Sequence, residues 1–80
     1  MAGPRDPHNV ALAQAIQNLR KEASLTQQQL ADRAEIPLVA LQQIEAADID
    51  ADWGTLRHIA SGLGTSLSEL FRLVEQLEAD

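Results

Sequence analysis

Eighty residues, 45% of them apolar, suffice for one small domain and argue against a disordered chain. There is no cysteine, and the two histidines, His8 and His58, stand far apart, which excludes disulfides, thiol catalysis and a Cys/His metal centre. Six Lys and Arg against twelve Asp and Glu leave a net charge of −6, opposite in sign to the basic surface from which most nucleic-acid binders draw affinity.

Residues 1–8 carry Gly3, Pro4 and Pro7 and read as a flexible arm ahead of a domain over 9–80, with Asn9 as the cap of a first helix. Val10, Ala13, Ile16, Leu19 and Ala23 recur at three- and four-residue steps, an amphipathic face that Ala11, Leu12 and Ala15 broaden. Thr26 and Gln29 have capping-box spacing and open a short helix from Gln27 to about Ala34, with Leu30, Ala31 and Ala34 inward. Pro37 suits the first turn of a third helix, which runs to about Ala46 and offers Ala40, Leu41 and Ile44 to a core. Asp50 or Asp52 caps a fourth helix, whose buried face is Trp53, Leu56, Ile59, Ala60 and Leu63 and which Gly62 and Gly64 end. Ser66 and Glu69 form a second capping box before Leu67, Leu70, Phe71, Leu73, Val74 and Leu77. With no alternating strand pattern, the fold class expected is all-α, a five-helix bundle with short turns. No apolar run nears the ~20 residues that would span a bilayer. The polar start does not resemble a signal peptide, so a cytoplasmic protein is expected.

The second and third helices, joined by Glu35-Ile36-Pro37, have the form of a helix-turn-helix. Around them stand Leu19-Arg20, then Leu25-Thr26-Gln27 with Leu30-Ala31, then Ile44-Glu45. Next come Leu56, Ile59-Ala60, Leu63-Gly64 and Ser66-Leu67 with Glu69-Leu70. In order and spacing this stretch resembles the Xre family, the Cro and lambda-repressor type of helix-turn-helix. The resemblance covers about two thirds of the chain. It implies a lambda-repressor-like bundle that binds operator DNA in the major groove, usually as a homodimer. It further implies that Arg20 and Glu45 form a structural ion pair, a bidentate bond fixing the angle between scaffold and recognition helix. By the same resemblance Gln27 meets phosphate, and Gln28 beside it and Arg33 are assigned to the same DNA contact. The base-reading positions fall at Leu38, Val39, Gln42 and Gln43.

Three places depart from that pattern. Leu38 and Val39 cannot hydrogen-bond a base edge: they either touch a thymine methyl or pack against a protein partner or the arm. Glu35 stands where the family prefers Gly, at a turn that often needs a positive φ. The segment Ala46-Ala47-Asp48-Ile49-Asp50-Ala51-Asp52 puts three carboxylates where family members present basic or polar groups to phosphate; capping accounts for one of them. Positive charge near this face is limited to Arg20, Lys21 and Arg33, with Arg5 on the arm and the place of Arg57 left open.

Of the remaining residues, Trp53 reads as core. His58 and Ser61, one turn apart, lack the orienting acid and oxyanion hole of a nucleophile site, so no enzyme is expected. Leu70, Phe71, Leu73, Val74 and Leu77 exceed what so small a bundle buries and read as a dimer interface, the alternative being that they cover the first helix. The expected function is a homodimeric transcriptional regulator reading a short inverted repeat, with no small-molecule ligand. The alternative is a helix-turn-helix that has lost DNA binding and acts as a protein-interaction adaptor or antagonist through its third helix.

Overall fold

Asp6 starts the first helix. Its carboxylate accepts a hydrogen bond from the His8 N–H at 2.8 Å, and Pro7, which has no N–H to leave unsatisfied, occupies the first turn. The computed structural model describes residues 6–79, so Met1–Arg5 of the expected arm and Asp80 lie outside the described residues. Within them run five helices: α1 Pro7–Glu22, α2 Gln27–Ala34, α3 Leu38–Glu45, α4 Trp53–Leu63 and α5 Leu67–Ala79. The α1 start is earlier than the Asn9 cap expected, because an Asp-Pro pair is itself a complete start signal. Asn9 instead lies inside α1 and donates its side-chain amide to Asp50, tying α1 to the loop before α4.

α1 and α5 pack against each other, as do α2 and α4, and α3 closes the core against α1 and α2. Ile16, Leu30, Leu41, Ile59 and Leu70, the largest fully buried side chains, come one from each helix. Ala11, Leu12 and Ala15 line the rest of the α1 face, but Val10 is 49% exposed and Ala23 lies on the surface. Trp53 also departs from expectation at 62% exposure: as the first residue of α4 it sits outside the core and stacks on Phe71, with ring centroids 5.6 Å apart.

Gly62 does not end α4 but lies buried within it, where α2 and α4 meet. A Cβ there would come within 3.0 Å of the Ala34 backbone nitrogen and 3.1 Å of Leu30 Cδ1. Alanine is the better helix former by about 1 kcal/mol. Since the obstacle is backbone, Gly62→Ala is nevertheless expected to give a net loss of about 1–2 kcal/mol in urea denaturation; a gain would mean that α2 can shift to make room.

Helix ends follow one pattern. Ser24 (φ 58°), Glu35 (φ 57°) and Ala47 (φ 60°) stop α1, α2 and α3 in the left-handed region without being glycine, and Gly64 (φ 73°) stops α4. After each, the next N–H reaches back to a carbonyl of the last turn, as Ile36 does to Ala31 at 3.1 Å and Asp48 to Gln43 at 2.9 Å. Asp52 caps α4 by accepting from the Thr55 N–H at 2.7 Å, and the hydrogen bonds of Thr55 hold its carboxyl below the usual value of 3.8. That contribution is complete above pH 3.8 and disappears as pH falls through the lower folded value. At α5, the Ser66 hydroxyl accepts from the Glu69 N–H at 3.1 Å. The Glu69 carboxylate turns to the Thr65 hydroxyl instead of closing the capping box. No helix among the described residues is long and apolar enough to cross a membrane, and no cluster among them is placed to hold a metal ion.

Candidate nucleic-acid interface

The capping box that opens α2 is complete: the Gln29 N–H donates to Thr26 Oγ1 at 3.1 Å, and the Thr26 N–H donates to Gln29 Oε1 at 2.8 Å. Leu30, Ala31 and Ala34 then face inward, and Glu35 turns the chain. Pro37 stands just outside α3 as its N-cap (φ −62°, ψ 142°), one position earlier than expected. Its extended ψ keeps it out of the helix, while its carbonyl accepts from the Ala40 and Leu41 N–H groups. Leu41 and Ile44 enter the core and fix the rotation of α3.

Glu45 is what joins this unit to the scaffold. It is 5% exposed at the end of α3, and its carboxylate is fully engaged. Arg20 on α1 donates from Nε to Oε2 at 2.8 Å and from Nη2 to Oε1 at 3.0 Å, while its Nη1 donates to the Leu25 carbonyl at 2.9 Å. Gln27 on α2 adds a bond from Nε2 to Oε1 at 3.1 Å, and Gln17 on α1 donates to the Glu45 carbonyl at 2.6 Å. Three helices therefore meet on one carboxylate. The planar Arg–carboxylate fork constrains angle as well as distance.

This geometry redistributes the residues assigned to DNA. Gln27 sends its amide nitrogen inward to Glu45 and not towards a phosphate. Gln28 donates to Asp32 at 2.8 Å along the exposed side of α2. Leu38 is half-buried and packs partly against the core. Val39 (59% exposed), Gln42, Gln43 and Ala46 stand together on the outer face of α3. Arg33 is exposed in the last turn of α2, and Lys21 at the end of α1. Arg20, held in the ion pair at 13% side-chain exposure, is not available to a phosphate.

Beside α3, Ile49 and Ala51 pack against the core while Asp48 and Asp50 lie on the surface. Alternating burial thus leaves Asp48 and Asp50 at the surface, Asp50 accepting from Asn9, and Asp52 is the one that caps. The α5 stripe divides as well. Leu70 and Val74 are buried in this chain's own core, so neither can serve a dimer interface. Phe71 lies beside Trp53 and borders a groove with His8, Leu12 and Glu78. Leu77 lies on the other flank beside Val10, and Leu73 next to Leu19. His58 and Ser61 are both exposed on α4. Sequence reasoning missed Gln17 and the inward role of Gln27; the three-residue step from Gln17 to Arg20 on one helix face was the available sign.

A helix-turn-helix domain family matches residues 11–73. The solved restriction-modification controller protein C.Esp1396I is similar in fold, with a TM-score of 0.82 at 21% identity over 88% of this chain and 91% of that one. A single-substitution mutant of that controller gives a TM-score of 0.88 at 20% identity, over 94% and 100%. The clp gene regulator ClgR from Corynebacterium glutamicum gives 0.84 at 19% identity, over 90% and 77%. At these identities the likeness establishes the fold. No curated protein matches the sequence.

Proposed function

The chain belongs to the helix-turn-helix domain family, and we propose that it is a cytoplasmic, sequence-specific DNA-binding transcriptional regulator of the Xre type. The observation that carries this reading is the cluster of Arg20, Gln27 and Glu45. It holds α3 rigidly against α1 and α2 and leaves Val39, Gln42 and Gln43 outward on one face. A side-chain surface held in this way is what major-groove reading requires. The two solved relatives, described as a restriction-modification controller and a gene regulator, are consistent with it. Arg33 and Lys21 would meet phosphate, and Gln28 would do so by leaving Asp32.

The protein would act as a homodimer on a short inverted repeat, with two recognition helices about 34 Å apart. Its contact would centre on Trp53, which is 62% exposed and stacks on the partly buried Phe71, and not on the whole α5 stripe. A second reading has one observation in its favour: Asp48 and Asp50 lie on the surface just past the end of α3 and suit a protein partner better than a phosphate path.

Capture of sheared genomic DNA from the source organism at ~50 and ~150 mM salt separates the two, because phosphate binding is salt-sensitive. Enrichment of an inverted repeat that survives the higher salt is expected, and Gln43→Ala should reduce it without unfolding the protein. No enrichment by folded protein would overturn the DNA reading in favour of the protein-interaction module. Light scattering should give twice the chain mass for the wild type and the single-chain mass for Trp53→Glu.

A further inference from the structure

The outer face of α3 is unusual in what it lacks. Its exposed residues, Val39, Gln42, Gln43 and, at the helix end, Ala46, include no charged group. The one charged residue on α3, Glu45, is buried with both carboxylate oxygens engaged by Arg20 and Gln27. The next acidic side chains, Asp48 and Asp50, lie beyond the end of the helix.

Base pairs differ in what they demand of such a face. Guanine shows two acceptors in the major groove and is met best by the paired donors of Arg or by Lys, while cytosine offers a donor that suits a carboxylate. Neither kind of side chain is present on the reading surface. Adenine offers a donor beside an acceptor, which one amide side chain satisfies with both of its polar atoms. Thymine carries a methyl group that an apolar side chain can pack against. Val39, 59% exposed one helical turn before Gln42 and Gln43, supplies the second kind of contact next to the first.

We infer that the bases read by α3 are A·T pairs, with Gln42 and Gln43 bonding adenines and Val39 packing on a thymine methyl. The inference rests on the DNA-binding reading above and adds the class of half-site it selects. Val39 is then a specificity-determining residue and not a defect in a polar reading surface. Its burial on DNA offsets the hydrogen bond it cannot make.

The test is selection of binding sites from a random-sequence duplex pool by the full chain at ~50 mM salt, low enough to retain weak phosphate-driven complexes. The selected duplexes are then remade with deoxyuridine in place of thymidine, which removes only the methyl. The expected result is a half-site with A·T pairs at the contacted positions, and a loss of about fourfold in wild-type affinity for each contacted methyl removed. Val39→Ala, which keeps its fold because the side chain is exposed, should bind the two duplexes with nearly equal affinity. Exchange of a contacted A·T pair for G·C should cost about tenfold or more. A selected half-site with G·C at these positions would overturn the inference while leaving DNA reading intact, as would affinity indifferent to the methyl. If folded protein selects no sequence, the DNA reading and the inference fail together.

Discussion

Glu45→Ala is expected to remove about 3–5 kcal/mol of stability, the usual cost of breaking a buried ion pair from one side. Net stability for a domain of this length is about 4–12 kcal/mol, so the variant should be marginal at room temperature. The loss does not come from Coulomb attraction alone. Arg20 is left with 13% of its side chain exposed and no carboxylate, and the Gln27 amide loses its acceptor. Urea denaturation followed by circular dichroism reads the change as a lower midpoint. Replacing both Arg20 and Glu45 with Met should recover much of the loss, because the desolvation penalty then disappears with the charges. A single-variant cost below about 1 kcal/mol would place the pair with ordinary surface bridges and remove its part in orienting α3.

The second large effect concerns charge. Neutralising these surface carboxylates, Asp48→Asn with Asp50→Asn, should tighten DNA binding. A carboxylate about 8 Å from a phosphate in water is repelled by about 0.5 kcal/mol. The proposed dimer would lose four of them, giving about 2 kcal/mol, or about thirtyfold in affinity at low salt. The gain should shrink as salt rises and the interaction is screened. Asn at position 50 keeps an acceptor for the Asn9 amide, so the loop's tie to α1 survives. Fluorescence anisotropy against a selected duplex at two salt concentrations measures both effects. Unchanged affinity would move the loop away from the phosphate path. With Arg20 consumed in the ion pair, few exposed cations remain near this face, so the balance of sign there weighs heavily.

Local signals were the readable part of this sequence. Thr26 and Gln29 form their capping box within three residues, and α2 begins and ends as that spacing predicts. The period of α5 and the stop at Gly64 were equally legible. Errors arose where two local signals competed: Asp6-Pro7 and Asn9 can each start a helix, and the periodic pattern favoured the later one. Long-range contacts were less accessible. Leu70 and Val74 looked like surplus apolar surface because what buries them is the packing of α5 on α1, a long-range contact that the period of α5 alone does not announce. Trp53 looked like core because of its size, yet its place in the first turn of α4 leaves it over the edge, against Phe71. The Arg20–Glu45 pair was suggested by resemblance, but the inward turn of Gln27 depended on a contact between residues 18 positions apart.

The division between Glu45 and its outward neighbours on α3 also bears on how such a protein changes over generations. Orientation of the helix depends on Arg20, Gln27 and Glu45, whereas Val39, Gln42 and Gln43 bear almost none of the structural load. Substitutions at exposed sites of that kind usually alter stability by no more than about 0.5 kcal/mol. Descendants of one gene could therefore exchange one target site for another in single steps without passing through an unfolded intermediate. The framework that orients the helix and the surface it presents would be inherited as separate traits.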